Sequence, residues 1–494
     1  MIISKLSYPL MIKTIQKNLA VRWIILGLVL VFLFSLKSYN YDRFPVMGHL
    51  EEYAYSWMGI HLIEDRLPQT WSPTGHFSGQ DIVFSGTITG SGAFLPVDIL
   101  SPWLDLPPLY GLISGGVAHL FQADSWSVIP ASYIRLPAIL MSFLTTILIF
   151  LLTKRLFGFW TALLAITIYS LTPVFVFGSR LSVAENGITL LYIMVIYLTD
   201  LYRDKPKRWY LLVALPMLVG LAGLMKPNGF LITGLIVFLL GQKRLWREAF
   251  WVLLGVLPWL GLFLAYGYSL DWPIFQTIIA AQSNRPVGFL GLPFIFSSPG
   301  YSTELVFDGW YVFCLLSVFY LLVAKFKDSK YQLVGLGFLF WALVVVVSAG
   351  QTDTLLWYHY PFFPFLAISG ALLLKETISS PNLFNSLLII LLLLSGKAFL
   401  SNDFISQVKP LPFRLIVALL TLPVVLNYFF PSSNLLKLAK LVLLMVVIVG
   451  LFFNAQYIFS AFPLISQSKS FPIGPGNALS DFHLPLIWRV LSIR

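Results

Sequence analysis

Charge is what this chain has least of. Only 11% of its 494 residues are Asp, Glu, Lys or Arg, where a soluble protein carries roughly a quarter. That scarcity excludes a string of soluble domains. Cysteine is rarer still: the single Cys314 lies inside an apolar run, so there is no disulfide framework and no thiolate metal site. No glycine-rich phosphate loop of the nucleotide-binding kind occurs, and no low-complexity tract or soluble domain interrupts the chain. A nucleotide would find no cradle here.

What is present is apolar sequence. Hydrophobic residues make up 58% of the chain, and the mean hydropathy is +0.84. A bilayer core needs about 20 apolar residues per helix. Runs of that kind cover approximately 19–37, 130–153, 158–178, 183–201, 208–225, 227–241, 249–268, 304–324, 331–349, 355–374, 384–400, 411–430 and 436–456. The expected fold is therefore an all-α polytopic membrane protein with about thirteen spans. Lys226-Pro227-Asn228-Gly229 splits one short pair of runs, and 384–400 is another weak one.

The formal net charge of +11 is topological rather than a sign of nucleic acid. Lys and Arg gather in alternate short loops: Lys5 to Arg22, Lys154 and Arg155, Arg203 to Arg208, Lys243 to Arg247, Lys325 to Lys330, Lys375, then Lys437 and Lys440. This is the positive-inside pattern, and it puts the N-terminus in the cytoplasm of a plasma-membrane protein. Thirteen spans would then leave the C-terminus outside. The first run is long and lacks a small-x-small cleavage site at Phe34 to Tyr39, which reads as an uncleaved anchor.

The loops are asymmetric. Residues 38–129 form one outer segment rich in acids, aromatics and prolines, and loops that long usually carry function. A second outer loop, about 269–303, is rich in Gly, Pro and aromatics, and an outer tail follows at 457–494. The chain accordingly divides into a module at 1–303 that holds the long loop, further transmembrane helices at 304–456, and the tail. Within the long loop, Gly48 to Ile63 reads as a helix lying on the membrane surface, with Leu50, Ala54, Trp57 and His61 on one face. Pro68 and Pro73 stop it, and a second helix follows Pro107-Pro108.

Glu51 and Glu52 open that first helix. Adjacent helical side chains diverge by about 100°, so the two cannot enter one small site alike; one fits a catalytic role and the other a structural one. An ordinary solvated acidic pair is the simpler account. Outer tryptophans Trp57, Trp71, Trp103 and Trp126 suit sugar stacking, although an interfacial aromatic belt explains most of them.

The stretch His49 to Gly59, followed by Leu67-Pro68-Gln69-Thr70-Trp71-Ser72, resembles the first-loop motif of the GT-C superfamily of membrane glycosyltransferases. Within it the dolichyl-phosphate-mannose-protein mannosyltransferase-like group, which includes protein O-mannosyltransferase and lipid A aminoarabinose transferase relatives, is the nearest match. Further pieces follow in order: Asp105-Leu106-Pro107-Pro108-Leu109-Tyr110, Arg135-Leu136-Pro137, Leu156-Phe157-Gly158, Ser179-Arg180-Leu181 with Glu185, Gly223 to Gly229, and Trp357-Tyr358-His359-Tyr360-Pro361. Together they span roughly residues 20–375.

The resemblance implies transfer of a hexose or pentose from a polyprenyl-phosphate donor to a hydroxyl acceptor on protein, lipid or glycan, at the outer face of the membrane. Such a reaction needs a carboxylate base for the acceptor proton and positive charge for the leaving phosphate. It implies Glu51 as base, with Glu52 and Asp105 shaping the site. The family position matched by Glu51 is usually Asp, so the choice between Glu51 and Glu52 stays open. The cations on the outer side are Arg43, Arg66, Arg135, Arg180, Lys226 and Arg285. Arg180 and Lys226 sit at span ends where a lipid phosphate would lie, unless they only snorkel to headgroups. Arg135 fits pairing with a loop acid equally well. His359 stands where the family often has Arg, and with Tyr358 it suits sugar contact or simple aromatic packing. No metal signature and no cofactor are implied, although carboxylates leave room for a divalent cation. The alternatives are a permease or flippase for a lipid-linked glycan, which would show mid-span polar residues and matching halves, and a polysaccharide polymerase or ligase, whose large loop usually comes late.

Overall fold

The computed structural model describes residues 19–45, 51–72, 75–90, 93–123, 129–206, 208–284, 295, 308–348, 356–393 and 410–460. His49, Leu50, Trp126, Arg285 and the tail from 461 onward lie outside them.

The described residues of the apolar runs are mostly helical. The first is α1 (Leu19–Ser38), and α2 (Glu51–Glu64) follows it in the long loop. A small sheet comes next, β1 (Thr70–Trp71), β2 (Asp81–Gly90) and β3 (Ala93–Ser101), and then α3 (Leu109–Leu120). The chain continues through α4 (Ala131–Phe157), α5 (Phe159–Leu171), α6 (Pro173–Gly178), α7 (Ala184–Asp204), α8 (Trp209–Met225), α9 (Ile232–Gly241) and α10 (Trp246–Ser283). The last group is α11 (Gly309–Ala324), α12 (Ser329–Ser348), α13 (Phe363–Ser379), α14 (Leu383–Ile389), α15 (Pro410–Phe429) and α16 (Ser433–Ser460). Among the described residues, seven helices are long and apolar enough to cross a membrane, and shorter apolar helices such as Phe159–Leu171, Trp209–Met225 and Gly309–Ala324 accompany them.

Local chemistry explains the breaks. Gly158 has φ of 91°, a left-handed conformation that glycine adopts without penalty, and there α4 turns into α5. Pro173 takes the first position of α6, where its missing N–H costs nothing, so the expected single span 158–178 becomes two helices. Asp271 is non-helical within α10. The helix resumes after that kink and runs to Ser283, so the first part of the expected second outer loop is helical. Asp308 caps α11 through the N–H groups of Trp310 and Tyr311 and also accepts from Val174 of α6.

Between the two expected helices of the long loop, β2 and β3 form an antiparallel hairpin with β1 on its other edge, in the order β1-β3-β2. Ile82 and Val83 of β2 are β-branched residues that suit a strand. One expectation is corrected: α2 does not lie on a surface with one apolar face, because every residue from Glu51 to His61 is buried. It is enclosed by α3, α4 and β1.

Glycine makes that enclosure possible. A Cβ on Gly59 of α2 would fall 1.9 Å from the carbonyl oxygen of Gly111, and one on Gly115 of α3 would fall 2.6 Å from both the Ser56 oxygen and the Ile60 nitrogen. The two backbones are thus in direct contact, the small-xxx-small logic of Gly111 and Gly115. Gly115→Ala should force α2 and α3 apart and lower the unfolding temperature in detergent, by an overpacking cost of about 1–3 kcal/mol. Gly116→Ala is the control: the nearest atom to its added methyl is Ile63 Cδ1 at 3.8 Å, so its unfolding temperature should not fall.

Candidate active site

The two glutamates have different surroundings. Glu52 forms a two-pronged ion pair with Arg135 at the start of α4, Nε to Oε2 at 2.8 Å and Nη2 to Oε1 at 2.7 Å. The Ser182 backbone N–H also donates to Glu52 Oε2 at 2.9 Å. Arg135 Nη1 donates in addition to the carbonyls of Tyr41 and Pro45, at 2.9 and 2.7 Å. Both side chains are within 2% of full burial. Arg135 thus takes the loop-acid option, and Glu52 is bound into the scaffold. Glu51 sits on the adjacent face at the margin of burial, 9% exposed. Its charge reaches Tyr55, one turn along α2, and Lys226.

Lys226 lies at the end of α8. Its ammonium donates to Glu185 Oε1 at 2.5 Å and rests 4.3 Å from the centre of the Tyr358 ring. Glycines shape this corner too. A Cβ on Gly223 would strike the Phe230 ring at 2.4 Å, and one on Gly229 would fall 2.3 Å from the Ala222 carbonyl. Gly187 lets Met225 pack against α7. The reversal at Lys226-Pro227-Asn228-Gly229 is therefore tight enough to press Lys226 onto Glu185. Tyr358 is held from behind, as the Trp341 indole donates to its carbonyl at 2.9 Å.

Arg180 is engaged elsewhere. It is fully buried and donates to the carbonyls of Leu36, Lys37 and Phe44, at 2.9, 2.9 and 3.0 Å. The first two are orphan carbonyls at the end of α1, where a cation also complements the helix dipole. Arg180 thus ties the end of α1 to the segment that follows it. Asp105 accepts from Ser72 through Oδ2, and its carbonyl takes the Gln282 amide of α10 at 2.9 Å, so it joins the two sides of the loop. His359 is completely buried, edge-on to Phe362. Among the described residues no three His, Cys, Asp or Glu converge as metal ligands.

Sequence reasoning did not find the hydroxyls. Ser56 and Ser114 are 2.7 Å apart, Ser114 and Ser182 3.1 Å, and Ser182 and Tyr110 3.4 Å. This buried chain links α2, α3 and the turn before α7. Tyr55 stacks edge-on to Tyr110, 5.0 Å between centres. Burial, reinforced by the charges of Glu185 and Glu51, raises the Tyr55 phenol well above its ordinary pKa, so it stays an O–H donor. The signal for Tyr55 was available: it stands four residues after Glu51 and so shares its helix face.

The pairings predict different failures for the two acids. Glu52→Ala leaves Arg135 buried without its carboxylate and should cost about 3–5 kcal/mol of stability, read as a lower unfolding temperature. Glu51→Gln keeps the size of the side chain and an acceptor oxygen, and should lower that temperature less than Glu52→Ala does.

Residues 105–268 match the family described as dolichyl-phosphate-mannose-protein mannosyltransferase. In structure the chain is similar to ArnT from Cupriavidus metallidurans bound to undecaprenyl phosphate, with a TM-score of 0.52 at 15% identity, covering 88% of this chain and 77% of that one. The apo state of the same protein gives 0.52 at 16%, covering 90% and 77%. Archaeal oligosaccharyltransferase AglB from Archaeoglobus fulgidus, in complex with an inhibitory peptide and a dolichol-phosphate, is more distant: 0.47 at 12%, covering 89% of this chain and 56% of that one. No curated protein matches the chain in sequence.

Proposed function

We propose that the chain is a membrane glycosyltransferase, a reading supported by the match of residues 105–268 to the dolichyl-phosphate-mannose-protein mannosyltransferase family model and by the fold shared with ArnT. Its donor is a sugar on a polyprenyl phosphate, the carrier class bound by ArnT, and its acceptor is a hydroxyl group presented at the outer face. The N-terminus is cytoplasmic, as the placement of Lys and Arg implies.

The observation that carries the reading is the split between the two glutamates. Glu52 is consumed by Arg135 and Ser182, whereas Glu51 lies on the face of α2 that Tyr55 shares, at the margin of burial. Glu51 takes the proton of the acceptor hydroxyl as its oxygen attacks the anomeric carbon. The bond from that carbon to the phosphate oxygen breaks, and its electron pair leaves on the phosphate. Phosphate is already a good leaving group, so it needs stabilising charge rather than a proton. Lys226 has three N–H donors, one of them on Glu185; the others serve the departing phosphate. Asp105, Tyr358 and His359 shape the walls in which the sugar lies.

The test is release of polyprenyl phosphate from polyprenyl-phosphate sugars by the purified protein, with a panel of hydroxyl acceptors. Loss of a positioned base is worth about 10²–10⁴-fold, and turnover by folded Glu51→Gln should fall by that much. Full turnover by Glu51→Gln would refute the base assignment. A wild-type protein that consumed no lipid-linked sugar but moved it across a vesicle membrane would be a flippase.

A further inference from the structure

Among the described residues, two of the buried polar atoms without a hydrogen-bond partner stand close to Lys226. One is the Tyr55 hydroxyl, on a residue 1% exposed; the other is Glu185 Oε2, on a residue with no exposure at all. Buried groups of this kind are normally satisfied, since leaving them unpaired is costly. Their placement is constrained. Glu185 uses its other oxygen for Lys226, whose ammonium lies over Tyr358. The Tyr55 ring stacks edge-on to Tyr110, whose hydroxyl lies 3.4 Å from that of Ser182, three residues before Glu185. Tyr55 on α2 and Glu185 at the start of α7 therefore lie in the same corner of the fold as Lys226.

Their chemistry narrows what belongs there. Tyr55 offers an O–H donor and Glu185 Oε2 a charged acceptor. A phosphate oxygen would satisfy the phenol but meet the carboxylate as like charge. A prenyl chain would satisfy neither. A hydroxyl group both accepts and donates, so one sugar hydroxyl, or two adjacent ones, satisfies both atoms. We propose that Tyr55 and Glu185 form a sugar-hydroxyl recognition pair that sets which sugar is accepted at the site, beside Lys226 and the base Glu51. This assignment rests on the glycosyltransferase reading and adds specificity to it. Glu185 thereby has two roles, holding Lys226 with one oxygen and reading a hydroxyl with the other.

Tyr55→Phe removes the hydroxyl and keeps the ring against Tyr110. The measurement is binding, to the protein in nanodiscs, of a polyprenyl-phosphate sugar and of bare polyprenyl phosphate, together with the KM for a glycan acceptor. One lost hydrogen bond should weaken the recognised sugar about tenfold and leave the bare carrier unchanged. Loss confined to the sugar-bearing lipid assigns the hydroxyl to the donor; loss confined to the acceptor KM assigns it to the acceptor, and either supports the pair. Monodeoxy sugars give a readout independent of the variant. One of them should bind wild type about tenfold more weakly, with no further loss in Tyr55→Phe. Equal weakening of the bare carrier, or no change in either arm, would overturn the pair. A wild-type protein that neither bound nor consumed any polyprenyl-phosphate sugar would remove the reading beneath it.

Discussion

The ion pair between Glu52 and Arg135 is the interaction on which the rest of the site depends. Four separate parts of the chain meet at it: the start of α2, the start of α4, the turn before α7 through Ser182, and the segment after α1 through the carbonyls of Tyr41 and Pro45. Removing two charges from water is expensive, and a buried pair offsets that cost only when its geometry is good and its remaining hydrogen-bonding capacity is used. Here the pair is two-pronged and the surplus donors of the guanidinium find carbonyls. Breaking one contact exposes the others to an uncompensated charge. The fixed direction of Glu52 in turn determines where Glu51 points, because successive helical residues diverge by about 100°.

Glycine gives this arrangement its density. Gly59, Gly111 and Gly115 bring α2 and α3 to backbone contact, while around Lys226 Gly229 meets the Ala222 backbone and Gly187 and Gly223 admit the side chains of Met225 and Phe230. Lipid tails are as apolar as leucine, so helices in a membrane gain little from burying apolar surface against each other. Close packing and polar contacts have to hold them instead. The serine and tyrosine hydroxyls running from Ser56 to Tyr110 occupy the space that this close approach leaves. They tie α2 to α3 and to the turn that presents Ser182 to Glu52.

The cations divide between scaffold and chemistry. Arg135 and Arg180 each spend their donors on the protein, one on a carboxylate and carbonyls, the other on the carbonyls closing α1. A planar guanidinium with five fixed donors suits such a junction better than an ammonium does. Lys226 is a point charge held by one carboxylate oxygen and by an aromatic face. Its position beside Glu51 and Tyr55 puts the charged and hydroxyl-bearing groups of the site within one corner of the fold.

Composition and charge placement were enough to determine a polytopic helical membrane protein, because an apolar run of spanning length has few other stable fates. The kink at Asp271 and the strands of the first loop were hidden: both are decided by what the segment packs on, and periodicity records only local preference. The site was legible in kind. The sequence by itself brought out Glu51, Glu52, Arg135, Arg180 and Lys226, since ionisable residues stand out in an apolar chain. It also determined that the two adjacent glutamates must differ, through the helical turn between them. Which of them is bound into the scaffold was decided only by the tertiary structure. Arg135 lies 83 residues from Glu52 in the chain, and no local rule brings such partners together. The capping of α1 by Arg180 and the pairing of Lys226 with Glu185 are likewise long-range contacts, made when packed helices leave a buried charge a single partner within reach.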